Sequence, residues 1–167
     1  MIWEMFEVFW FIIVEFWYIW LLVLVLTLVP YGFNKLEEWV EKRRLKKYKD
    51  LNEWKKLSGR EFEKMAAIIF EEQGYKAKVV GGAGDKGIDI KLKKDGRKYF
   101  VQCKNMERVQ PKDVRAFWGS IEEYIRKEKI KKGYFVTTGD FSKAGKEFVK
   151  NKPIELFNGL KLENFYK

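Results

Sequence analysis

The chain contains no histidine and only one cysteine, Cys103, among its 167 residues. The absence of histidine excludes a Ser–His–Asp triad, a Cys–His nucleophile pair and a histidine-liganded zinc site. A single cysteine excludes a zinc finger and a disulfide framework. The sequence therefore excludes histidine-dependent nucleophilic enzymes and zinc sites built on histidine or on several cysteines.

Basic residues are missing from the first 34 positions, which hold three acids: Glu4, Glu7 and Glu15. No residue from Phe16 to Asn34 is charged, and that length matches the ~20 residues that a membrane-spanning helix needs. Aromatic residues lie toward both ends of the run, as they do at membrane interfaces. The acidic start and the lack of a small-residue cleavage site argue against a secretory signal. We therefore expect a transmembrane segment at 1–33; the alternative is a helix buried against protein.

Lysine and arginine are concentrated directly after this apolar run. Residues 34–56 are predicted to form a basic amphipathic helical linker that lies on anionic lipid, and a short dimerising coil is the alternative. The positive-inside rule places the domain at 57–167 in the cytoplasm, which gives a single-pass protein of the cell membrane. The lone cysteine agrees with that compartment.

The positive charge is strong and unevenly distributed. The whole chain carries +10, whereas the part after residue 34 carries 34 − 21 = +13. Such a surplus favours a polyanionic partner, bound in a salt-dependent manner. A lysine-rich surface kept for solubility, or for ion pairing at high growth temperature, is the alternative.

Two runs of alternating residues on either side of Asp95-Gly96 predict a β-hairpin with a two-residue type I′ turn. If Lys94 faces Arg97, then Asp89 lies directly across from Gln102, and Lys104 is two residues further along the same face. A slip by one residue would mix polar and apolar faces. In this register one face is uniformly apolar: Ile88, Ile90, Leu92, Tyr99, Val101 and Cys103. The Cys103 side chain is therefore expected to be a small buried hydrophobe.

The polar group on this hairpin suits phosphodiester hydrolysis. The Asp89 carboxylate and the Gln102 amide offer oxygen ligands of the kind that Mg²⁺ takes. A bound metal lowers the pKa of a water ligand and neutralises charge on the transition state. Lys104 can orient or deprotonate the attacking water, or stabilise the developing oxyanion. On spacing alone, an ordinary hairpin with a solvated polar face is an equally valid interpretation.

Several further segments occur in the order found in one nuclease family. Their combined pattern resembles the catalytic domain of Mrr-type restriction endonucleases, within the PD-(D/E)xK nuclease superfamily, from about residue 57 to residue 166. The matching segments are Gly59-x-x-Phe62-Glu63, Gly74-Tyr75, Gly84-Asp85-x-Gly87-Ile88-Asp89, Val101-Gln102-x-Lys104, Val114-x-x-Phe117-x-Gly119, Thr137-Thr138-x-x-Phe141-Ser142 and Ile154-Glu155-Leu156-Phe157-Asn158-Gly159.

The resemblance implies a metal-dependent deoxyribonuclease in which Asp89 is a metal ligand and Lys104 is the catalytic lysine. Gln102 stands where many relatives carry glutamate. Because a neutral amide binds Mg²⁺ less strongly than a carboxylate, a second acid is needed. The resemblance supplies Glu63 for that role and the backbone carbonyl of Cys103 as a further ligand. Without the resemblance, Glu63 would be interpreted as a solvated charge on a helix.

Two other positions take their interpretation from the same resemblance. Asp85 matches the family pattern, and we expect it to shape the loop or face the phosphate rather than to bind metal. Asn105 stands where a basic residue is common, and we expect this departure to affect DNA contact rather than chemistry.

The element pattern predicts an α/β domain with the order αβββαβαβ, preceded by one transmembrane helix. The resemblance implies a restriction-endonuclease-like mixed β-sheet flanked by helices. The predicted elements are a capped helix from Ser58 to Gly74, a strand at 76–80, the hairpin, a helix near 111–129, a central strand at 134–136, a helix from Ser142 to Lys150 and a strand at 154–157.

These observations predict a membrane-anchored, Mg²⁺-dependent DNA endonuclease that acts in DNA restriction, with Mn²⁺ as the alternative metal. The expected partners are DNA, the membrane and, as a homodimer, a second copy of the chain. One alternative is a DNA- or junction-binding module on a nuclease fold with weak or lost catalysis, although the intact Asp89, Gln102 and Lys104 argue against loss. Another is a membrane-associated interaction protein that uses the fold as a scaffold.

Overall fold

The computed structural model describes residues 2–82 and 87–167. The chain divides into two compact units, 1–41 and 42–167. The boundaries expected from the sequence, after residues 33 and 56, stay a prediction.

The first unit is helical. Helix α1 spans Ile2–Glu15, and helix α2 spans Trp17–Leu45, with its last residues in the second unit. Pro30 lies inside α2, and the Thr27 hydroxyl donates to the carbonyls one turn earlier. Among the described residues, α2 is the one helix long and apolar enough to cross a membrane, and its most apolar part is entirely exposed. Length and composition are what support a membrane span here.

The second unit is built on a mixed sheet of five strands in the order β1-β2-β3-β5-β7. The first three strands are antiparallel, and β3, β5 and β7 are parallel to one another. Two very short strands, β4 and β6, form a separate parallel pair. The bounds are β1 Lys76–Val79, β2 Ile90–Lys94, β3 Arg97–Lys104, β4 Arg108–Val109, β5 Lys132–Thr137, β6 Asp140–Phe141 and β7 Ile154–Phe157.

Five helices accompany the sheet: α3 Leu51–Trp54, α4 Gly59–Glu72, α5 Pro111–Arg126, α6 Lys143–Val149 and α7 Gly159–Tyr166. The capping box predicted at Ser58 is present, and Ser142 caps α6 as expected. The predicted mixed sheet flanked by helices is confirmed. The strand predicted as central, β5, is interior but lies beside the middle strand β3. The strands β4 and β6 and the helix α7 were not predicted. The two strands are too short to show an alternation of polar and apolar residues, and Asn158-Gly159 is typical of a turn rather than of a helix start.

The middle of the sheet, at β3 and β5, is buried on both faces. One cluster of buried side chains includes Phe70 of α4, Tyr99 and Tyr134, and the other includes Phe100 and Phe117 of α5. The rings of Tyr99 and Tyr134 stack 5.5 Å apart across β3 and β5. Burial on both sides fixes β3 firmly, and the end of β3 carries the predicted site.

The core extends back into the segment interpreted as a linker. Leu45 and Trp54 are 1% and 0% exposed and belong to the cluster that includes Phe70. The Trp54 indole donates to the carbonyl of Tyr48 at 3.1 Å. Part of this segment therefore packs as core of the second unit.

Candidate active site

The β2–β3 hairpin has the predicted register. Lys94 pairs with Arg97 and Ile90 pairs with Val101. Asp95 and Gly96 have φ angles of 50° and 74°, as a type I′ turn requires at both central positions. The turn chemistry therefore sets which residues meet at the far end of the hairpin.

The ladder is irregular at Asp89, just before β2. The Asp89 amide donates to the Val101 carbonyl at 2.8 Å, although Val101 also pairs with Ile90. Asp89 and Ile90 thus both lie opposite Val101, as in a β-bulge. The prediction that Ile88 shares a face with Ile90 is therefore wrong, since Ile88 lies in the cluster of Phe100.

The bulge brings the Asp89 carboxylate onto the end of β3. Its Oδ2 atom accepts from Gln102 Nε2 at 2.5 Å and from the Cys103 backbone amide at 2.6 Å. The side chain is buried, with 9% of the residue exposed. The structure therefore brings Asp89 and Gln102 together, through a bent strand rather than a straight ladder.

Glu63 approaches the same place from helix α4. A Cβ atom built on Gly81 would lie 2.9 Å from Glu63 Oε2 and 3.3 Å from Asp89 Oδ1, so both carboxylates border the same glycine. The Arg60 guanidinium lies 2.7 Å from Glu63 Oε2 and donates to the Gly81 carbonyl at 2.7 Å. Arg60 is a site residue that the sequence interpretation missed. Its spacing of three from Glu63 on a helix was the available signal.

The surroundings of Asp89 disfavour its ionised form. Burial raises the pKa of the carboxyl from 3.8 to about 6, and the nearby negative charge of Glu63 acts in the same direction. The Cys103 amide, Arg60 and Lys104 oppose this shift without cancelling it. Two close carboxylates, one of them poorly solvated, form a place where a cation is favourable.

Gln102 and Cys103 offer donors beside this pair. The Gln102 amide presents its nitrogen to Asp89, and its oxygen faces Gly87. The Cys103 carbonyl lies 3.5 Å from Gln102 Nε2. The Cys103 thiol is buried in the apolar cluster, and burial raises its pKa well above the ordinary value. A small buried side chain at Cys103 is what the sequence predicted.

The sequence suggests that Lys104 acts beside Asp89 and Gln102, but in the structure its side chain forms an ion pair with Asp113. Its Nζ atom lies 3.2 Å from Asp113 Oδ1 in the first turn of α5. The other oxygen of Asp113 accepts from the Gln110 backbone amide at 3.2 Å. Asp113 was also missed from the sequence; its place two residues after Pro111 marks a capping position, not a lysine partner.

Asn105 is directed into the protein. Its Nδ2 atom donates to the Leu57 carbonyl at 2.5 Å and to the Trp54 carbonyl at 3.3 Å. Its Oδ1 atom accepts from the Thr138 hydroxyl at 2.5 Å. Asn105 thus ties the end of β3 to the segment that precedes α4, and the expectation that this position affects DNA contact stays a prediction.

The donor set fits a hard divalent cation. Among residues 2–82 and 87–167, no group of three or more histidine, cysteine or acidic side chains is placed to hold a metal. Asp89 and Glu63 supply two carboxylates, and Gln102 and the Cys103 carbonyl supply neutral oxygens. Mg²⁺ is commonly bound through one or two carboxylates and keeps several waters. Asp85 falls at 83–86, outside the described residues.

Comparisons with known proteins show what this chain is similar to. A protein described as the type IV methyl-directed restriction enzyme EcoKMrr, from Escherichia coli (strain K12), is 32% identical over 104 residues. That match covers 57% of this chain and 33% of the relative, so the chain spans about a third of that enzyme's length.

Two solved structures are similar to this chain, and the first of them shows a related fold. AF1548, a protein of unknown function, has a TM-score of 0.51 at 19% identity over 59% of this chain and 61% of its own. The MspJI restriction endonuclease, in complex with a 27-mer oligonucleotide, has a TM-score of 0.45 at 24% identity over 62% of this chain and 26% of its own. Residues 54–166 match the Mrr_cat family, described as restriction endonuclease. Since that match covers more than half of the chain, the protein belongs to the Mrr_cat family of restriction endonucleases.

Proposed function

We propose that this protein is a membrane-anchored DNA endonuclease that hydrolyses phosphodiester bonds in DNA restriction. The single observation that carries the proposal is the cluster of side chains at Asp89. Its Oδ2 atom lies 2.5 Å from Gln102 Nε2, and its carboxylate and that of Glu63 both border Gly81. Family membership supports the reaction class. The site lies where β3 ends, so the DNA backbone would approach that end of the sheet.

Mg²⁺ is the proposed cofactor, and Mn²⁺ is the alternative. Asp89, Glu63, the Gln102 side chain and the Cys103 carbonyl would hold it. When bound, the ion would supply a water of lowered pKa and neutralise charge on the scissile phosphate. Gln102 must turn its amide by half a rotation to offer oxygen instead of nitrogen, and Arg60 must release Glu63.

Lys104 would act on the attacking water and on the charge that develops at phosphorus. Its ammonium group is held at the site by Asp113, on the first turn of α5. The Asp113 carboxylate thus keeps the flexible lysine stem in one region before substrate arrives. Lys104 would then exchange a carboxylate partner for the water or a phosphate oxygen.

The membrane anchor is proposed from helix α2, which is apolar and exposed over a length that spans a bilayer. Basic residues at the end of this helix, including Lys42, Arg43 and Arg44, would lie on the cytoplasmic side. That topology places the nuclease domain where it meets DNA close to the membrane.

A DNA- or junction-binding module with weak catalysis is the second candidate. The observation in its favour is that Gln102 contributes a neutral amide, whose nitrogen faces Asp89. A site with two carboxylates and an amide binds Mg²⁺ less tightly than one with three carboxylates.

The test is nicking of supercoiled plasmid by the full chain in non-ionic detergent. Methylated and unmethylated plasmids are incubated with Mg²⁺, with Mn²⁺ and with a chelator. We expect metal-dependent nicking that is lost in Asp89→Ala and kept in Asp95→Asn, which changes an exposed acid in the hairpin turn. DNA binding without nicking in any metal would favour the binding module. Nicking that survives Asp89→Ala would remove the proposed site.

A further inference from the structure

Five exposed lysines lie on one face of the antiparallel part of the sheet. The register aligns them in two rows across the strands. Lys76 pairs with Lys93, which in turn pairs with Lys98, and Lys78 pairs with Lys91. The lysine face is defined here by these side chains: Lys76, Lys78, Lys91, Lys93 and Lys98.

This arrangement costs stability unless an anion accompanies it. Directly opposed side chains in an antiparallel pair lie roughly 4.5–5.5 Å apart at Cβ, and like charges there are destabilising. Many other lysines in the second unit are neutralised by acids: Lys46 by Glu72, Lys132 by Glu155 and Lys146 by Asp140, each at 2.8–2.9 Å. None of the five lysines forms an ion pair with any residue in 2–82 or 87–167. The lysine face therefore places five lysines side by side with no acid among the described residues to neutralise them.

The lysine face lies on the same side of the sheet as Gln102 and Lys104 of the candidate active site. Side chains alternate along β3, so Lys98, Gln102 and Lys104 project to one side. Lys91 pairs with Phe100, which is two residues from Gln102, a distance of about 7 Å along a strand. The opposite side of β1 and β2 faces the buried cluster of Ile90 and Leu92.

Helix α5 limits the lysine face on the side toward β5. Phe100 is buried, and the centroid of its ring lies 5.1 Å from that of Tyr124 on α5. Ser120 of the same helix borders Gly87 near the site. The helix covers β3 and β5 while the lysines on β1 and β2 stay exposed, so the charged surface is open directly beside the catalytic end of β3.

We propose that the lysine face binds the phosphate backbone of DNA that flanks the cleaved bond. This inference rests on the proposed function and adds the surface that holds the substrate. A polyanion whose scissile phosphate lies at Asp89 and Gln102 continues past the site, and of the two lysine rows the one with Lys91 and Lys78 lies closer to Gln102. An anionic lipid surface could satisfy the same charges, but it would compete with substrate for the open side of the site.

The test compares two variants with equal loss of charge. The first is Lys78→Gln/Lys91→Gln/Lys93→Gln. The control is Lys146→Gln/Lys150→Gln/Lys161→Gln, whose lysines are exposed and paired with acids. The full chain in non-ionic detergent is titrated with a fluorescent 30-base-pair duplex in chelator, at several NaCl concentrations.

Each phosphate contact adds roughly 0.9 to the slope of log K against log salt. We expect the first variant to flatten the slope by roughly 2–3 and to weaken binding at least tenfold near physiological salt, with an unchanged or higher melting temperature. The control should keep the wild-type slope. Equal slopes for all three proteins would overturn the inference and leave the proposed function standing.

Binding to phosphatidylglycerol vesicles distinguishes the two polyanions. Loss of vesicle binding in the first variant with an unchanged DNA slope would assign the lysine face to lipid and overturn the inference. A wild-type protein that neither binds nor cleaves the duplex would refute the proposed function itself, and this inference with it.

Discussion

The Nζ atom of Lys104 lies 3.2 Å from the Oδ1 atom of Asp113, a residue on a different element. The Asp113 side chain is 14% exposed, whereas the Lys104 side chain is 42% exposed. The carboxylate is therefore the fixed member of the pair, and it determines where the mobile ammonium group rests.

Asp113→Asn should slow single-turnover cleavage by about tenfold, which corresponds to about 1.4 kcal/mol of transition-state free energy. The amide keeps the cap on Gln110 but holds the lysine less well. DNA affinity should stay equal or rise, because a negative charge near the site is removed. Faster cleavage by Asp113→Asn would show instead that Asp113 restrains Lys104 unproductively.

Gly81→Ala should abolish metal-dependent cleavage. The new Cβ would lie 2.9 Å from Glu63 Oε2 and 3.3 Å from Asp89 Oδ1, and would fill the place between the two carboxylates. Gly119→Ala is the matched control, since no atom lies within 4 Å of its Cβ position on α5. That control should be stabilised by about 0.5–1 kcal/mol and keep its activity. Equal activity in the two variants would mean that the metal does not bind beside Gly81.

The metal-free protein should lose stability as pH rises from about 4 to about 6 through Asp89. Burial raises the pKa of this carboxyl from 3.8 to about 6 in the folded state. In that window the folded protein keeps a proton that the unfolded chain has released, so the free energy of unfolding falls with increasing pH. Above pH 6 the raised pKa of Asp89 lowers the free energy of unfolding by at most about 3 kcal/mol.

Asp89→Asn should remove this part of the pH dependence, as measured by urea unfolding in chelator between pH 4 and pH 7. The informative quantity is the difference between the wild-type and variant curves, because other groups titrate equally in both. Mg²⁺ should restore wild-type stability above pH 6 and leave the variant unchanged. Parallel curves for the two proteins would contradict the proposed environment of Asp89.

The full chain should stay with membranes after alkaline carbonate extraction, whereas a chain that starts at Lys42 should be released. The reason is that α2 exposes an apolar surface long enough to span the bilayer. Starting at Lys42 keeps Leu45 and Trp54, which belong to the core of the second unit. Release of the full chain by carbonate would refute the anchor, and circular dichroism of the shorter chain checks that it folds.

The sequence predicts the hairpin well because local rules set it. Asp95-Gly96 fixes the turn, and the alternation that follows fixes the register of Ile90 against Val101. Asp89 and Gln102 do come together, but through the bulge opposite Val101 and not through the straight register that predicted their contact. The bulge at Asp89, which moves Ile88 to the other face, depends on how Val80 and Gly81 bond to the Asp89 carbonyl, and no local pattern predicts it.

The partnerships of Lys104 and Asn105 could not be predicted, because each joins the end of β3 to another element of the fold. Asn105 donates to the Leu57 carbonyl across 48 residues. Trp54 illustrates the same limit: its basic and apolar neighbours indicate an amphipathic linker, yet its side chain is fully buried. Such contacts depend on tertiary packing, which a local pattern does not contain.

The central claim is that Lys104 performs chemistry at a metal site rather than only binding DNA. The direct measurement is single-turnover cleavage and equilibrium DNA binding by the wild-type chain and Lys104→Ala, with Lys150→Ala as the exposed control. The account predicts that Lys104→Ala cleaves at least a thousandfold more slowly in Mg²⁺, roughly 4 kcal/mol, while its DNA affinity changes less than about threefold. Equal losses of binding and cleavage, or cleavage that survives Lys104→Ala, would contradict it.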